Sequence, residues 1–370
     1  MKTVCDMNQC TGCGACRSIC PRECIDIVDT VDTLNARIDE NICIGCKQCE
    51  KVCPNITSLE RHRPIEWYQG WATDEIRKRS TSGGAAAAIT RAFIRSGGFV
   101  ASCVFKDGEF GFAITNDLRE AEKFTGSKYV KSNIGVTYNE IYNRLKSDKV
   151  LFIGLPCQVA AVKKYVHNNP NLYTVDLICH GTPSVKLLQK YLDEKGINIK
   201  AINNIKFREK DDMALRINNE RKLMHPITDS YLCAFLSGVG YTQNCYHCQY
   251  ANLNRISDVT VGDSWGSEYS RELKKGISLV LIQTQKGRDL ISNSNMVLKE
   301  VDLNIAVSNN QQLSTPSRKT IKQTIFAYCI RKNMDFDTAA MIAIPWMTIK
   351  QKLKRVLIAL GWRKQGGGTQ

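Results

Sequence analysis

Long apolar runs are missing from this chain, and with them a helical membrane span: nowhere do about 18 apolar residues follow one another. An apolar leader is missing too, since the chain opens MKTVCDMNQC. Carboxylates are scarce towards the end. Residues 317–370 hold 11 Lys and Arg against Asp335 and Asp337 alone, so nine of the +15 net charges lie in that tail. The basicity belongs to the tail and not to a surface spread over the fold, so no nucleic-acid partner is expected. Cysteine is what the chain has in plenty. Its 17 cysteines sit in 370 residues of otherwise ordinary composition, too long a chain for a disulfide miniprotein. The expectation is a reducing, cytoplasmic setting in which thiolates stay free for metal.

Twelve of these cysteines carry a pattern. Cys10, Cys13, Cys16 and Cys20-Pro21 form one C-x2-C-x2-C-x3-C-P run, and Cys43, Cys46, Cys49 and Cys53-Pro54 form a second. This is the ligand spacing of a bacterial ferredoxin with two [4Fe–4S] clusters, in which the fourth cysteine of each run serves the other half. Cluster one is therefore assigned Cys10, Cys13, Cys16 and Cys53, and cluster two Cys43, Cys46, Cys49 and Cys20. Zinc, which takes paired C-x2-C units, does not explain two triplets each with its C-P. The segments 25–28 and 36–38 read as a short hairpin over the clusters. Cys5 and Cys24 fall outside both sets and read as spare thiols. The other four of the twelve are Cys157, Cys179, Cys245 and Cys248. Cys157 and Cys179 lie in loops at the carboxyl ends of two expected strands, where cofactors of open α/β sheets gather. Cys245 and Cys248 form a C-x2-C pair. Together they make a third tetrathiolate site, for which iron–sulfur, zinc and no metal all stay open on the residues alone.

The module occupies residues 1–58 and is followed by a polar, aromatic-dotted connector over 59–79. Ser80, Thr81, Ser82, Gly83 and Gly84 then form a hydroxyl- and glycine-rich loop leading into an alanine-rich helix. Such a loop can cradle a phosphate at the helix start, although an ordinary capped helix explains it as well. Strands over 99–105 and 109–115 form a hairpin. From 138 strand and helix alternate through 150–154, 173–178, 185–194 and 278–301, which predicts a largely parallel sheet. The tail from 317 begins with a helix over 317–332. After Pro345, residues Trp346, Ile349, Leu353, Val356, Leu357 and Leu360 make an apolar stripe with lysines mostly off it. That helix either lies on an anionic membrane surface, through residues 346–362, or packs on its own domain or a partner.

In order, the chain shows a two-cluster ferredoxin module, S-x-S-G-G, GSKY, G-x-P-C-Q, CHG-x-P, a C-x2-C pair and GD-x-WG. This series resembles the coenzyme F-420 hydrogenase/dehydrogenase beta-subunit family over residues 5–330. The resemblance implies an α+β ferredoxin-like N-terminal module followed by an α/β flavoprotein domain with a mixed, largely parallel sheet. That domain's N-terminal part would span 80–137 and its C-terminal part 138–316. It implies FAD, contacted by Ser80–Gly84, by Ser127, Lys128 and Tyr129, and by Asp263, with Trp265 nearby. It implies that Cys157, Cys179, Cys245 and Cys248 hold a third [4Fe–4S] cluster. The segment Phe207-Arg208-Glu209-Lys210 departs from the family pattern, running into Asp211-Asp212-Met213 where a Gly-Trp is expected. The expected activity is that of an FAD/iron–sulfur oxidoreductase acting on a small or lipid-linked organic substrate, with a redox partner such as ferredoxin. The alternative is an electron-relay subunit with no substrate of its own. No general acid or base stands out beyond His180.

Overall fold

A computed structural model describes residues 2–360. Residues 361–370, including the last two of the expected membrane contact, lie outside the described part. The N-terminal module contains the expected hairpin, β1 (Ile25–Asp29) and β2 (Leu34–Ile38), paired antiparallel. The remaining strands are β3 (Glu66–Trp71), β4 (Phe99–Lys106), β5 (Glu109–Thr115), β6 (Val150–Gly154), β7 (Leu172–Leu177), β8 (Ile205–Lys206), β9 (Arg216–Ile217), β10 (Glu220–Arg221), β11 (Val259–Asp263), β12 (Ser278–Ile282) and β13 (Val297–Lys299). β8 to β10 form a small antiparallel sheet. The others build one eight-stranded sheet in the order β13-β3-β12-β11-β7-β6-β4-β5. Its centre is parallel: β4 pairs β6, β6 pairs β7 and β7 pairs β11 in that sense. Antiparallel strands flank it on both sides. The fold class is thus a mixed sheet with a parallel centre, covered by helices.

The sheet is apolar on both faces, as a continuous run such as Val-Leu-Phe-Ile in β6 requires. Alternate side chains go to opposite sides. Val150 and Phe152 join a core with Tyr138, Ile141 and Val159, while Leu151 and Ile153 join one with Ile89, Phe93 and Val175.

Residues 59–79, expected as a connector, contribute structure of their own. Glu66–Trp71 is β3, an inner strand hydrogen-bonded to β12 on one side and β13 on the other. Its sequence, EWYQGW, alternates too weakly to announce a strand. The N-terminal module is also seated firmly. Cys13, Ala15 and Val52 share a core with Tyr138 and Val159, the Tyr138 hydroxyl donates to the Cys13 carbonyl at 2.9 Å, and Asp32 pairs with Arg331 at 2.6 Å.

Among its described residues the tail forms three helices, Ile321–Arg331, Phe336–Ala343 and Pro345–Ala359. The first two are core. Phe326, Phe336 and Ala339 pack with Leu188, Tyr231 and Cys233. Phe336 is fully buried, so Phe336→Ala is expected to cost about 3–5 kcal/mol. A denaturation midpoint that does not move would mean that this part of the tail lies outside the cooperative core.

Candidate functional site

Three neighbouring parallel strands end at one edge of the sheet, and each delivers a side chain there. Cys157 is the second residue of the helix Pro156–Tyr165, which starts directly after β6. Pro156 suits that start because its missing N–H would have had no partner. Gln158 accepts from the Leu155 N–H at 2.9 Å and donates to the Ser132 carbonyl at 3.1 Å, tying the turn to the segment beside it. Cys179 stands two residues beyond β7, and Asp263 closes β11. Cys245 and Cys248 arrive from the single turn around Gln243–His247, anchored by Thr242 N–H to the Thr182 carbonyl at 3.1 Å and by Gln243 N–H to the Asp32 carbonyl at 2.8 Å.

All four thiols line one cavity of about 810 Å3, together with Lys131, His180 and Arg255. The N-terminal module closes it from the other side with Cys5, Thr11 and Asn55. Two smaller hollows lie within that module. Cys10, Cys13, Cys16 and Cys53 line one, and Cys20, Cys43, Cys46 and Cys49 line the other. These are the two sets into which the C-x2-C-x2-C-x3-C-P spacing sorts the eight thiols. Cys5, Thr11 and Asn55 line both the first hollow and the large cavity, so the two adjoin. Gly12 has φ 65°, and a Cβ there would meet Leu34 Cδ1 at 2.5 Å; its N–H donates to Cys10 Sγ at 3.4 Å. A glycine is needed for that approach.

Each small hollow also holds a fifth thiol. Cys24 Sγ is 3.4 Å from Cys20 Sγ. Cys5 donates to Cys10 and Cys53, which raises its own pKa and holds Cys10 down to about 6. Elsewhere burial dominates: it pushes Cys13 and Cys248 up to about 12 and raises Cys16 and Cys179 as well. Metal binding would have to displace these protons.

Two buried cations face the sulfurs of the large cavity. Lys131 Nζ donates to Cys157 Sγ at 3.3 Å. Burial opposes its charge, but Cys157, Cys245 and Cys13 raise its pKa, and it in turn favours the Cys10 thiolate. It therefore stands between the first thiol set and the third. Arg255 pairs with Asp176 of β7, Nη2 to Oδ1 at 3.0 Å, without hydrogen-bond alignment to either carboxylate oxygen. Its Nη1 donates to the Tyr250 carbonyl at 2.7 Å. His180 stands at the cavity mouth, more than a third exposed, and desolvation against the walls lowers its pKa.

The candidate flavin residues gather at the same sheet edge but do not line this cavity. Thr81 and Ser127 share a hydrogen bond at 3.1 Å. Gly83 packs so closely that a Cβ would meet Ser278 N at 2.5 Å and Gly70 O at 2.6 Å. The Ser80 and Ser82 hydroxyls are committed to the carbonyls of Ile76 and Ile277. The Lys128 ammonium is committed too, to the carbonyls of Lys123, Phe124 and Thr125. The helix Ala85–Arg95 has Gly84 at its start and no capping side chain, which leaves its first N–H groups open to an anion. Lys210 Nζ donates to the carbonyls of Arg77 and Ser82, the latter at 3.2 Å. Burial, then the like charges of Arg77 and Arg208, push Lys210 down to about 8. Arg208 pairs with Asp263 at 2.6 Å and lies over the Trp265 ring at 5.5 Å. Tyr129 stacks on Phe235 with centroids 4.2 Å apart. Phe235 meets Tyr241 at 5.5 Å, and Tyr241 feels Cys179 and Cys245. An aromatic row thus joins the two regions.

Sequence reasoning missed Lys131, Arg255 and Lys210. Lys210 had a signal in the Phe-Arg-Glu-Lys segment. Lys131 and Arg255 had none, since no spacing relates them to the cysteines they face.

Two family descriptions match the chain. A 4Fe-4S dicluster domain matches over residues 9–56, and the C terminus of the coenzyme F420 hydrogenase/dehydrogenase beta subunit matches over 147–304. The chain joins a domain of each family. It is an iron–sulfur protein with a redox role, as an enzyme or an electron relay. Among solved structures, it is similar to a chain of the F420-reducing [NiFe] hydrogenase complex from Methanosarcina barkeri. The two are 19% identical, with a TM-score of 0.45, over 74% of this chain and 96% of that one. No curated protein matches the chain.

The Arg255–Asp176 pair gives a test of the cavity wall. Arg255→Met leaves a buried carboxylate uncompensated and is expected to cost about 3–5 kcal/mol in the denaturation midpoint. Adding Asp176→Leu should recover most of it. Equal losses in the single and double variants would show that the pair is not what matters.

Proposed function

We propose that the chain is an FAD/iron–sulfur oxidoreductase holding three [4Fe–4S] clusters and one FAD, with an organic substrate, small or lipid-linked. The carrying observation is the cavity in which Cys157, Cys179, Cys245 and Cys248 meet the edge of the first thiol set. The four thiols line a cavity of about 810 Å3, roomy enough for a four-iron cluster. Cluster one takes Cys10, Cys13, Cys16 and Cys53; cluster two takes Cys20, Cys43, Cys46 and Cys49. The second set reaches the surface at Cys46, beside exposed Ile42 and Ile44, and is the end that a redox protein such as ferredoxin would approach.

FAD is placed on the residues around the uncapped start of Ala85–Arg95. Support comes from the open N–H groups there and from Lys210, Arg208 and Arg77 collected behind the Ser80–Gly84 loop, a setting for a pyrophosphate. Tyr129 and Asp263 belong to the same group through Arg208. Clusters carry electrons singly and FAD exchanges them singly or in pairs, which is the chemistry that such a combination supplies. The chain's own part is to hold these groups along one sheet edge and to set the field around them. Lys131 does the latter. A fixed positive charge 3.3 Å from Cys157 Sγ favours the more negative, reduced state of what the thiolates hold.

Protein purified without oxygen is expected to contain about 12 Fe and one FAD per chain, and Cys157→Ser to lose about a third of the iron. Iron without flavin would remove the flavoprotein reading, and Cys157→Ser with full iron would remove the third cluster. Lys131→Met is expected to keep the iron and to lower the potential of the third cluster by roughly 60 mV, tenfold in a one-electron equilibrium. An EPR-monitored redox titration reads it directly, and an unchanged potential would leave Lys131 a structural residue.

A further inference from the structure

The last helix, Pro345–Ala359, turns its apolar side to solvent. Trp346, Ile349, Leu353, Val356 and the following Leu360 recur at alternating spacings of three and four. At about 100° per residue they fall within an arc of about 80°. They are 80%, 40%, 57%, 54% and 57% exposed. The opposite side does the packing. Thr348 and Ile358 are buried there, and Gln351 accepts from the Thr228 N–H at 3.1 Å. The helix thus docks on the body through its back, and the stripe that a self-packed helix would bury points outward.

Charge selects what would cover it. Exposed Lys350 and Lys352 stand on either side of the stripe, each about 80° from its centre. Arg355 is exposed further round, and no Asp or Glu follows Asp337. A second copy of the chain, bringing the same lysines to the edges of the same seam, would meet like charges with no carboxylate to answer them. An anionic surface answers all of them at once. Trp346 suits the headgroup level, where an apolar body and a polar N–H are both satisfied. Among the described residues no helix is long and apolar enough to cross a membrane. We propose that the face formed by Trp346, Ile349, Leu353, Val356 and Leu360 lies in the plane of an anionic lipid surface, with Lys350 and Lys352 at the headgroups.

The test is co-sedimentation of the full-length protein with phosphatidylcholine vesicles, with and without phosphatidylglycerol. The protein is expected to pellet with the anionic vesicles only, and less as salt is raised. Lys350→Gln with Lys352→Gln should weaken partitioning roughly tenfold or more. Leu353→Asp with Val356→Asp should abolish it. These side chains are exposed, so iron content and visible absorbance should stay unchanged in both variants. Wild-type protein left in the supernatant with anionic vesicles would overturn the proposal. So would equal binding to neutral vesicles, or Asp variants that still bind. A wild-type dimer that Leu353→Asp converts to monomer would assign the face to a second copy instead. No redox activity enters the measurement, so its outcome is separable from the flavin and cluster assignments.

Discussion

A lysine ammonium has been taken out of water and placed against sulfur. Lys131 is buried, and desolvation of its charge is the largest influence on it. What offsets that cost is negative charge on the facing thiolates, from Cys157 and Cys245 on one side and Cys13 on the other. Burial raises the pKa of Cys13, and of Cys179 and Cys248 in the same cavity wall. The ammonium and the sulfurs it faces thus favour each other's charged forms. The seating of the N-terminal module follows from this. Cys13 has to approach Lys131, and the Tyr138 hydroxyl holding the Cys13 carbonyl places it there.

The parallel centre of the sheet explains how residues so far apart in the chain share one neighbourhood. β6, β7 and β11 run the same way, so the residues that follow them emerge side by side. β12 runs against them and β3 with them, and the register across the three brings Gly70, Ser278 and Asp263 level. The Ser80–Gly84 loop then packs against those backbones. One edge therefore receives the thiols, the uncapped helix start and the cations.

What could be read in the sequence was whatever depends on spacing. The two cysteine runs predict which thiols share a hollow, because the ligand geometry is local and rigid. The strand-end places of Cys157 and Cys179 were legible from alternating strand and helix patterns. Contacts made by long side chains across the fold were not. Lys131 sits three residues beyond Lys128, and nothing in GSKYVK tells which ammonium meets sulfur and which is tied to carbonyls. β3 was hidden for a different reason. A strand with Gln69 and Gly70 at its centre follows no apolar alternation, and only its neighbours in the sheet define it. The apolar stripe after Pro345 was plain in the sequence, but its outward orientation depends on tertiary packing.

The placement of β3 has a mechanical consequence. A loose stretch of chain between an iron–sulfur module and its partner domain would let the module swing, so that electrons move only when the two happen to meet. Here the joining segment is stitched between β12 and β13, while Asp32 and Tyr138 fasten the module on its other sides. Swinging would require breaking the Tyr138–Cys13 hydrogen bond and the Asp32–Arg331 pair. The position of the module against the sheet edge is therefore set by the fold itself, through a hydrogen bond and an ion pair far apart in the sequence.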